Sequence, residues 1–363
     1  MFKLLSLKPE TFGLDISDLS LKIIKLKERG KFFELASFGE EKIKPGIIKN
    51  GEIKNKKELI KIIKKATSMV KGEKLKTKYV VASLPEEKAF LQVIQMPKMA
   101  EDDLKSAIIY EAEQYIPLPI EKVYLDFQVI PPISNHLNHL DVLIAALPKE
   151  IVDSYIFCLK EANLKPLSLE VESLAICRAL IKNEITTSPV LLIDLGATKT
   201  GFIVFSGHSL KFTSSIPVSS QNFTEIISKA LKVNPDESEK LKLKYGLKEK
   251  KVFEGLIPAL TDLTEQIKKY INYYQTHSSY DSLSSNGKQN IKKIFLCGGG
   301  AKLKGLKEML SSQLKVSVEI GNPWINISSP TFQSQKETLV YEKEESLSYT
   351  TSLGLALRGI KNL

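Results

Sequence analysis

Residues 13–20 read Gly-Leu-Asp-Ile-Ser-Asp-Leu-Ser, and residues 193–199 read Ile-Asp-Leu-Gly-Ala-Thr-Lys. Each stretch places an aspartate, Asp15 or Asp194, at the end of an apolar run and follows it with a short turn that contains hydroxyl groups. The exposed backbone N–H groups of such a turn can surround phosphate oxygens. A strand that ends in an aspartate before a turn occurs in many proteins, so a single copy is weak evidence. Two copies in matched positions indicate a repeated unit.

The segments that follow the two stretches repeat the same order of predicted elements. In the first half, apolar periodicity predicts strands at 12–16, 21–27 and 31–38, a helix at 55–70 and a strand at 79–84. In the second half, it predicts strands at 189–194, 201–206 and 209–216 and helices at 220–231, 236–245 and 254–276. This internal duplication predicts two lobes that face each other across a cleft.

The remaining segments complete the expected domain organisation. Residues 86–155 are predicted to be an inserted domain with strands at 89–95, 123–130 and 140–147 and a helix at 101–115. Near the C-terminus we predict a strand at 291–297, helices at 302–314 and 346–360, and loops at 278–290 and 321–338. The expected segments are lobe 1 at 10–85 and 156–187, the inserted subdomain at 86–155, lobe 2 at 188–230 and 292–345, its subdomain at 231–291, and a terminal helix at 346–363 returning to lobe 1.

The composition is that of a soluble globular protein, with 43% hydrophobic and 26% charged residues. The net charge of +10 comes almost entirely from lysine, since Arg29, Arg178 and Arg358 are the arginines. Specific nucleic-acid binding relies on arginine for bidentate base contacts, so the composition argues against it. No apolar run approaches the roughly 20 residues of a membrane helix. The N-terminus lacks a signal peptide, so we expect a cytoplasmic protein without a transmembrane segment.

A third motif, Phe-Leu-Cys-Gly-Gly-Gly-Ala-Lys-Leu-Lys-Gly, occupies residues 295–305. Three glycines after a strand let the backbone approach a flat ligand closely, and a helix then begins. A tight strand-to-helix turn would explain the same residues without a ligand. The three cysteines lie far apart and form no CxxC pair, so neither a zinc site nor a redox motif is indicated.

The order of the three motifs resembles that of the actin, Hsp70 and FtsA superfamily. In finer detail the chain is similar to the PilM family of type IV pilus assembly proteins, over about residues 11–361. Residues 110–119 (Tyr-Glu-Ala-Glu-Gln-Tyr-Ile-Pro-Leu-Pro), 126–129 (Asp-Phe-Gln-Val) and 354–359 (Gly-Leu-Ala-Leu-Arg-Gly) carry that similarity. The resemblance implies an α/β protein with the duplicated actin-like (ribonuclease H-like) ATPase fold, in which two lobes surround a nucleotide cleft and a small FtsA-like subdomain is inserted.

The resemblance also implies a site for ATP and Mg²⁺ between the lobes. The implied nucleotide-binding residues are Asp15, Ser17, Asp18, Leu19, Ser20 and Lys22 in the first loop, Asp194, Gly196, Ala197 and Thr198 in the second, Glu239 and Lys242 beside the adenosine, and Gly298, Gly299 and Gly300 in the adenosine-side loop. Asp15 and Asp194 would hold Mg²⁺ through water, because facing carboxylates repel phosphate and attract a hydrated cation. Glu172 matches the hinge residue that orients the attacking water in the relatives, and would be the catalytic residue.

Some of these positions also have plain structural explanations. Glu239 and Lys242 share a helix face and could form a surface ion pair, and Glu172 could be a carboxylate at a helix N-terminus. Ser17 and Ser173 replace a glycine and a proline that are common in the relatives, and the Cβ of Ser17 narrows the space for a phosphate oxygen. Hydrolysis needs an aligned water whereas binding tolerates looser geometry, so ATP binding is expected rather than efficient hydrolysis.

By the same resemblance, the inserted subdomain forms a groove against lobe 1 that takes a short extended peptide. The peptide would be the cytoplasmic tail of a PilN-like bitopic inner-membrane protein, which would hold the chain at the inner membrane. Ile108, Ile109, Tyr115 and Ile116 are candidates to shape this groove or its support, although ordinary core packing explains them as well. Pilus motor ATPases and further copies of the chain are the other implied partners.

The leading hypothesis is therefore an ATP-binding adaptor of the pilus platform, in which the nucleotide state sets partner affinity. The first alternative is an FtsA-like cell-division protein, although FtsA typically continues into a membrane helix and this chain ends at Leu363, directly after the last predicted helix. A sugar kinase of the same superfamily would need a catalytic aspartate in a sugar pocket, and no clear candidate is found. A scaffold of the same fold that binds no nucleotide is the remaining alternative.

Overall fold

The computed structural model describes residues 9–30, 32–132, 138–277, 290–327 and 343–361. The first elements are β1 (Phe12–Ile16), β2 (Ser20–Arg29), β3 (Phe32–Lys42), β4 (Ile48–Lys49), β5 (Glu52–Ile53), α1 (Lys56–Ser68), β6 (Lys71–Gly72) and β7 (Tyr79–Leu84). The inserted segment contains β8 (Phe90–Pro97), α2 (Glu101–Ala112), β9 (Val123–Ile130) and β10 (His139–Pro148). The chain continues through α3 (Lys149–Glu161), β11 (Lys165–Val171) and α4 (Glu172–Leu180).

The second half begins with a long strand and contains most of the helices. Its elements are β12 (Thr186–Leu195), β13 (Thr200–Gly207), β14 (Ser209–Ile216), α5 (Ser220–Leu231), α6 (Pro235–Lys244), α7 (Lys250–His277), β15 (Lys293–Cys297), α8 (Leu306–Leu314), β16 (Ser317–Ile320), α9 (Lys343–Ser346) and α10 (Thr350–Lys361). Within the described residues, no helix combines the length and the apolar character needed to cross a membrane.

The two large sheets share one strand order, which confirms the predicted duplication. The first sheet runs β11-β7-β1-β2-β3, with β6 on its edge, and the second runs β16-β15-β12-β13-β14. In each sheet the central strand is antiparallel to the next strand in sequence and parallel to a strand that arrives later. Strands β1 and β12 are thus equivalent, and so are the hairpins that follow them.

Both central strands are buried, as their continuous apolar sequences require. All five residues of β1 are buried, and Leu191, Leu192 and Ile193 of β12 are fully buried. Helix α1 covers the first sheet with Leu59, Ile63 and Ala66, while its lysines face solvent, as its amphipathic pattern predicts. These two cores hold the ends of β1 and β12 in place.

The inserted subdomain is an antiparallel sheet in the order β8-β10-β9, packed against α2. Leu104, Ile108 and Ala112 of α2 belong to its core. Ile130 and Leu143, in β9 and β10, instead pack into the core of the second lobe. The subdomain therefore rests on lobe 2, while its two ends connect to lobe 1.

Helix α10 packs on lobe 1, against α4 and β1, through glycines. A Cβ added at Gly354 would lie 1.9 Å from the carbonyl oxygen of Ala175 in α4. A Cβ added at Gly13 in β1 would lie 2.3 Å from the carbonyl oxygen of Ser352. Only glycine permits backbones to approach this closely, so the helix and the strand are fitted to each other.

Several elements differ from the sequence predictions. Strands β11 and β16 and the β4–β5 hairpin were not predicted, because each is short or carries a weak apolar pattern. Helix α8 begins at Leu306 rather than at 302, because Gly305 at its N-cap has a φ of 86°. The loops predicted at 278–290 and 321–338 lie outside the described residues, apart from 290 and 321–327. The domain boundaries stay predictions.

Candidate functional site

Asp15 lies near the end of β1, inside the first hairpin. It is buried and pairs across the hairpin with Lys22 in β2. The hydroxyl of Ser83, in β7, donates a hydrogen bond of 3.1 Å to Asp15 Oδ1, and the same Oγ accepts one of 2.8 Å from the backbone N–H of Ile16. Strand β7 therefore fixes the orientation of this carboxylate.

The turn after Asp15 brings two hydroxyls and an ammonium group together. The backbone N–H of Ser17 donates to the carbonyl oxygen of Ser20 at 3.0 Å, and the two Oγ atoms lie 3.1 Å apart. Lys22 Nζ donates to Ser20 Oγ at 2.6 Å. Ser17, Ser20 and Lys22 thus form one polar group at the mouth of the hairpin.

Asp18 and Leu19, two other predicted members of the first loop, have structural contacts. Asp18 accepts hydrogen bonds from the backbone N–H groups of Asn50 at 2.9 Å and Gly51 at 3.0 Å, in the β4–β5 turn. The carbonyl oxygen of Leu19 accepts a hydrogen bond of 2.9 Å from the backbone N–H of Ile43. In this structure the Asp18 carboxylate therefore connects the first loop to a neighbouring turn.

The second hairpin packs against the start of α5. The backbone N–H of Ser220 donates to the carbonyl oxygen of Gly196 at 3.0 Å, and that of Gln221 donates to the carbonyl oxygen of Ala197 at 3.1 Å. A Cβ at Gly196 would lie 2.8 Å from the carbonyl oxygen of Lys199, so the turn requires glycine. Ala197 is exposed and Thr198 is half-buried, at the tip of this hairpin.

The carboxylates of the two hairpins influence each other. Burial, together with the negative charge of Asp15, raises the pKa of Asp194 to about 6, and the charges of Lys199 and Lys22 oppose this rise. Burial also raises the pKa of Asp15. Two carboxylates that repel each other in a buried setting favour a shared cation between them.

Lys199 joins the two lobes, although no sequence pattern had indicated it as a site residue. Its Nζ forms ion pairs with Glu87, in the short helical turn Glu86–Lys88, and with Glu172 at the start of α4, the latter at 2.9 Å. Burial raises the pKa of Glu172, and the charge of Lys199 offsets that effect in part. The only sequence signal for this residue was its position directly after Thr198 in the second motif.

The three glycines after β15 have different surroundings. Gly298 has a φ of 78°, and an added Cβ would lie 2.3 Å from Asp194 Oδ1. A Cβ at Gly300 would lie 2.9 Å from the Cβ of Leu195. An added Cβ at Gly299 would meet no atom within 4 Å. Gly298 and Gly300 therefore pack the loop against β12, and Gly299 is the one of the three that is open.

Lys242 and Glu239 form a partly buried network rather than a surface pair. Lys242 is 3% exposed and donates to Ser220 Oγ at 2.8 Å, to Thr224 Oγ1 at 2.7 Å and to Glu239 Oε2 at 2.6 Å. Burial lowers the pKa of Lys242, and its contact with Glu239 works in the opposite direction. The network joins α6 to the first turn of α5, next to the second hairpin.

The charges of the cleft fit a magnesium nucleotide better than either component alone. Asp15, Asp194, Glu87 and Glu172 present four carboxylates, which face the ammonium groups of Lys22 and Lys199. This excess of negative charge repels a free triphosphate and attracts a divalent cation. Within the described residues, no cluster of three or more His, Cys, Asp or Glu side chains could hold a metal by itself. The residues therefore fit Mg²⁺ that arrives with a nucleotide and is bound through water.

The four candidate partner-binding residues divide into core and surface. Ile108 and Ile116 are buried in the core of the inserted subdomain. Ile109 is 49% exposed and Tyr115 is 44% exposed. Only the second pair can contact a partner directly, while the first pair supports α2 and the turn after it, which present the second pair.

Comparisons with known proteins agree with this geometry. A chain in a solved PilM–PilN type IV pilus biogenesis complex is 27% identical, with a TM-score of 0.80 over 98% of this chain and 100% of that chain. MreB5 of Spiroplasma citri bound to ADP is 12% identical, with a TM-score of 0.54 over 97% of this chain and 98% of that chain, and shows the fold alone. The predicted actin-like ATPase fold is thereby confirmed.

Curated relatives are more distant and longer. The cell division protein FtsA of Bacillus subtilis is 24% identical over 201 residues, which are 51% of this chain and 46% of FtsA. FtsA of Pseudomonas aeruginosa is 20% identical over 182 residues, or 46% of this chain and 44% of that protein. The matched part of the chain thus spans less than half the length of these relatives.

One family model matches almost the whole chain. The model described as type IV pilus assembly protein PilM covers residues 13–360, which include both hairpins, the inserted subdomain and α10. The similarity seen in the sequence motifs is therefore confirmed over the full fold. The chain belongs to the PilM family of type IV pilus assembly proteins.

Proposed function

We propose that the chain is an ATP-binding, actin-like component of the inner-membrane platform that assembles type IV pili. It binds the cytoplasmic N-terminal tail of a PilN-like protein and couples its nucleotide state to that binding. The observation that carries the proposal is the pair of equivalent hairpins, whose aspartates interact electrostatically across the cleft. The full-length similarity to a chain from a PilM–PilN complex supports the pilus assignment.

In the proposed site, the two hairpins bind the phosphates from opposite sides. The hydroxyls of Ser17 and Ser20 and the ammonium of Lys22 act from lobe 1, and the backbone of Gly196 to Thr198 acts from lobe 2. Asp15 and Asp194 orient the waters around Mg²⁺. The cation supplies charge neutralisation, which allows the triphosphate to enter an acidic cleft.

Adenosine would lie on the side of Gly298, Gly299 and Gly300. Gly299 offers open backbone against which a flat base can lie. The α6 network of Glu239 and Lys242 forms the adjacent wall, and the half-exposed Glu239 carboxylate is the group that can reach a ribose hydroxyl. Binding of ADP to the MreB5 relative supports a nucleotide in this fold.

The surface of the inserted subdomain is the proposed site for the partner peptide. Ile109, in α2, and Tyr115, in the turn that follows α2, present exposed apolar area. A membrane-anchored partner bound here would hold the chain on the cytoplasmic side of the inner membrane. Contacts with pilus motor ATPases and with other copies of the chain would follow from that location.

Hydrolysis is proposed to be slow, with Glu172 as the residue that would orient water. Its carboxylate forms an ion pair with Lys199 at 2.9 Å, and this positive charge makes it a weaker base toward an attacking water. Glu172 is therefore expected to act best once Lys199 has moved away. Efficient turnover is not expected from this arrangement.

The first test is the affinity of an Asp194→Ala variant for Mg-ATP, measured by isothermal titration calorimetry. Loss of the carboxylate should weaken binding by about a hundredfold, because a charge at the cation is removed from a buried site. The matched control is Asp262→Ala, which removes an exposed aspartate in the middle of α7. Unchanged binding in Asp194→Ala would favour a scaffold that does not use nucleotide.

The FtsA relatives support one alternative, a cell-division function. Parallel titrations with the C-terminal peptide of FtsZ and the N-terminal peptide of a PilN-like protein separate the two functions. The proposal expects binding of the PilN-like peptide alone. Binding of the FtsZ peptide alone would replace the pilus assignment with a division function.

A further inference from the structure

The ion pairs of Lys199 lie between the nucleotide cleft and the base of the inserted subdomain. Lys199 directly follows Thr198 in the second hairpin, and its charge influences both Asp15 and Asp194. Its two carboxylate partners belong to other parts of the molecule. Glu172 begins α4 of lobe 1, and Glu87 lies in the turn that leads into β8, the first strand of the subdomain.

The base of the subdomain is a compact contact around the β4–β5 turn. A Cβ at Gly51 would lie 2.4 Å from the Cβ of Pro85 and 3.1 Å from Glu87 Oε1, so the turn touches the entrance of the subdomain. The hydroxyl of Tyr155, in α3 after the last strand of the subdomain, donates to the carbonyl oxygen of Gly51 at 3.0 Å. Entrance and exit of the subdomain therefore meet at one turn.

Both phosphate hairpins contact this base. Asp18 of the first hairpin holds the turn through the backbone N–H groups of Asn50 and Gly51. Lys199 of the second hairpin holds Glu87. A change at either hairpin can thus be transmitted to the subdomain through contiguous polar contacts.

Of these two contacts, the ion pairing of Lys199 is the one in which a bound nucleotide can replace the carboxylate partners. An ammonium group on a flexible four-carbon chain is a mobile point charge, whereas the backbone hydrogen bonds of Asp18 are fixed by the turn. A bound triphosphate places several negative oxygens beside the second hairpin. These oxygens compete with Glu87 and Glu172 for the same ammonium group.

We propose that Lys199 is a nucleotide-dependent latch, which pairs with Glu87 and Glu172 in the nucleotide-free protein and turns to the phosphates when Mg-ATP binds. The exchange frees the base of the inserted subdomain and so connects the nucleotide state to the partner surface. It also frees Glu172. This latch rests on the proposed function, because it requires Mg-ATP between the hairpins.

The decisive experiment is a double-mutant cycle on the Lys199–Glu87 pair, with Mg-ATP affinity measured by calorimetry. Lys199→Gln should weaken binding about tenfold, because a charge-assisted contact to phosphate is lost. Glu87→Gln should tighten binding about threefold or more, because the competing partner is removed. The two halves of one ion pair are thus expected to act in opposite directions.

The double variant separates the latch from simple charge repulsion. Removing the Glu87 carboxylate would also reduce repulsion of the triphosphate, and that effect would persist without Lys199. The latch predicts that Glu87→Gln gains nothing in a Lys199→Gln background. The matched control is Glu319→Gln, which breaks the Lys293–Glu319 ion pair of 2.9 Å away from the cleft and should leave Mg-ATP affinity unchanged.

Hydrogen exchange at the base provides a second readout that does not depend on affinity. The backbone N–H groups of Lys88 and Ala89 are held by bonds of 3.3 and 3.0 Å to the carbonyl oxygens of Pro85 and Glu86. Mg-ATP should increase their exchange severalfold in the wild-type protein. In Lys199→Gln, exchange should already be high and should not respond to Mg-ATP.

The outcomes distinguish failure of the latch from failure of the proposed function. If the wild-type protein binds no Mg-ATP, the proposed function is wrong and the latch with it. If it binds Mg-ATP but the effects of the two substitutions are additive in the double variant, or exchange at Lys88 and Ala89 is unaffected, the latch alone is wrong. Opposite single effects, with no gain from Glu87→Gln in the Lys199→Gln background, support it.

Discussion

At the scale of single residues, the surroundings of Asp194 are the most informative about the electrostatics of the site. Its carboxylate packs against Gly298, and burial together with the negative charge of Asp15 raises its pKa to about 6. The folded protein therefore binds a proton at this group more tightly than the unfolded chain does. The contribution of Asp194 to stability is fully present below its unfolded pKa and is lost as the pH rises through about 6.

Because folding raises the pKa of this carboxyl group, its charged form destabilises the folded protein, and Asp194→Asn should stabilise the nucleotide-free protein at neutral pH. The amide has nearly the same shape but no charge to desolvate or repel, so the free energy of unfolding should rise by about 2 kcal/mol near pH 7.5. The gain should shrink toward zero near pH 4, where the native carboxyl is protonated as well. Denaturant unfolding at both pH values, without nucleotide, measures the difference. An Asp194→Asn variant that is less stable than wild type at pH 7.5 would contradict the inference that the charge of Asp194 destabilises the folded protein.

At the scale of elements, the β15–α8 connection shows how neighbouring glycines have separate functions. Gly298 has a positive φ and no room for a Cβ, whereas Gly299 has open space. Gly298→Ala should therefore lower the free energy of unfolding by about 3 kcal/mol, through strain and a clash with Asp194. Gly299→Ala is the matched control and should change stability by less than about 0.5 kcal/mol.

The same pair of variants tests where the nucleotide lies. If the adenosine lies against Gly299, the Cβ of Gly299→Ala should weaken Mg-ATP binding severalfold while the fold stays intact. Urea unfolding and calorimetry on both variants provide the two measurements. Equal Mg-ATP affinity for wild type and Gly299→Ala would place the ligand elsewhere.

At the scale of the whole molecule, the inserted subdomain contacts both lobes and can therefore sense their arrangement. Ile130 and Leu143 pack into the core of lobe 2, and Asp141 Oδ2 lies 3.7 Å from Nζ of Lys211 in β14. The chain ends of the subdomain meet at the β4–β5 turn of lobe 1. A relative movement of the lobes must change at least one of these contacts.

We therefore expect Mg-ATP to change the affinity for the N-terminal peptide of the PilN-like partner by about fivefold or more, the lower end of typical couplings between sites. Fluorescence anisotropy of a labelled peptide, titrated with and without Mg-ATP, measures the change. The Asp194→Asn variant serves as the control, since it should bind the peptide with one affinity under both conditions. Equal peptide affinities for the wild-type protein in the two conditions would refute the coupling.

Local sequence patterns predicted most of the strands and helices of the fold. The strand at 79–84 and the helix at 220–231 were predicted to the residue, because a buried apolar run and an amphipathic period with a serine N-cap are strong local signals. Strand β16 was missed because it is short and is stabilised by parallel pairing with β15, and the β4–β5 hairpin was missed because each of its strands has only two residues.

The candidate site was predicted where it depends on repeated local motifs. Both hairpins and the glycine turn were found by their spacing. Lys199 and Glu87 were not, because residues 112 positions apart in sequence share no local pattern and meet only through the packing of the lobes. Asp18 was assigned to the first phosphate loop, which stays a prediction, and its carboxylate contacts the β4–β5 turn, which only the tertiary structure brings near.

The amino-acid sequence by itself determined the duplicated order of elements, the position of both aspartate hairpins and the family. These depend on periodicity and spacing within each half, which short-range sterics and solvent exposure control. Tertiary structure alone decided which charges meet across the cleft and which residues tie the inserted subdomain to it. Such contacts depend on how separate cores pack against each other, and no single stretch of sequence carries that information.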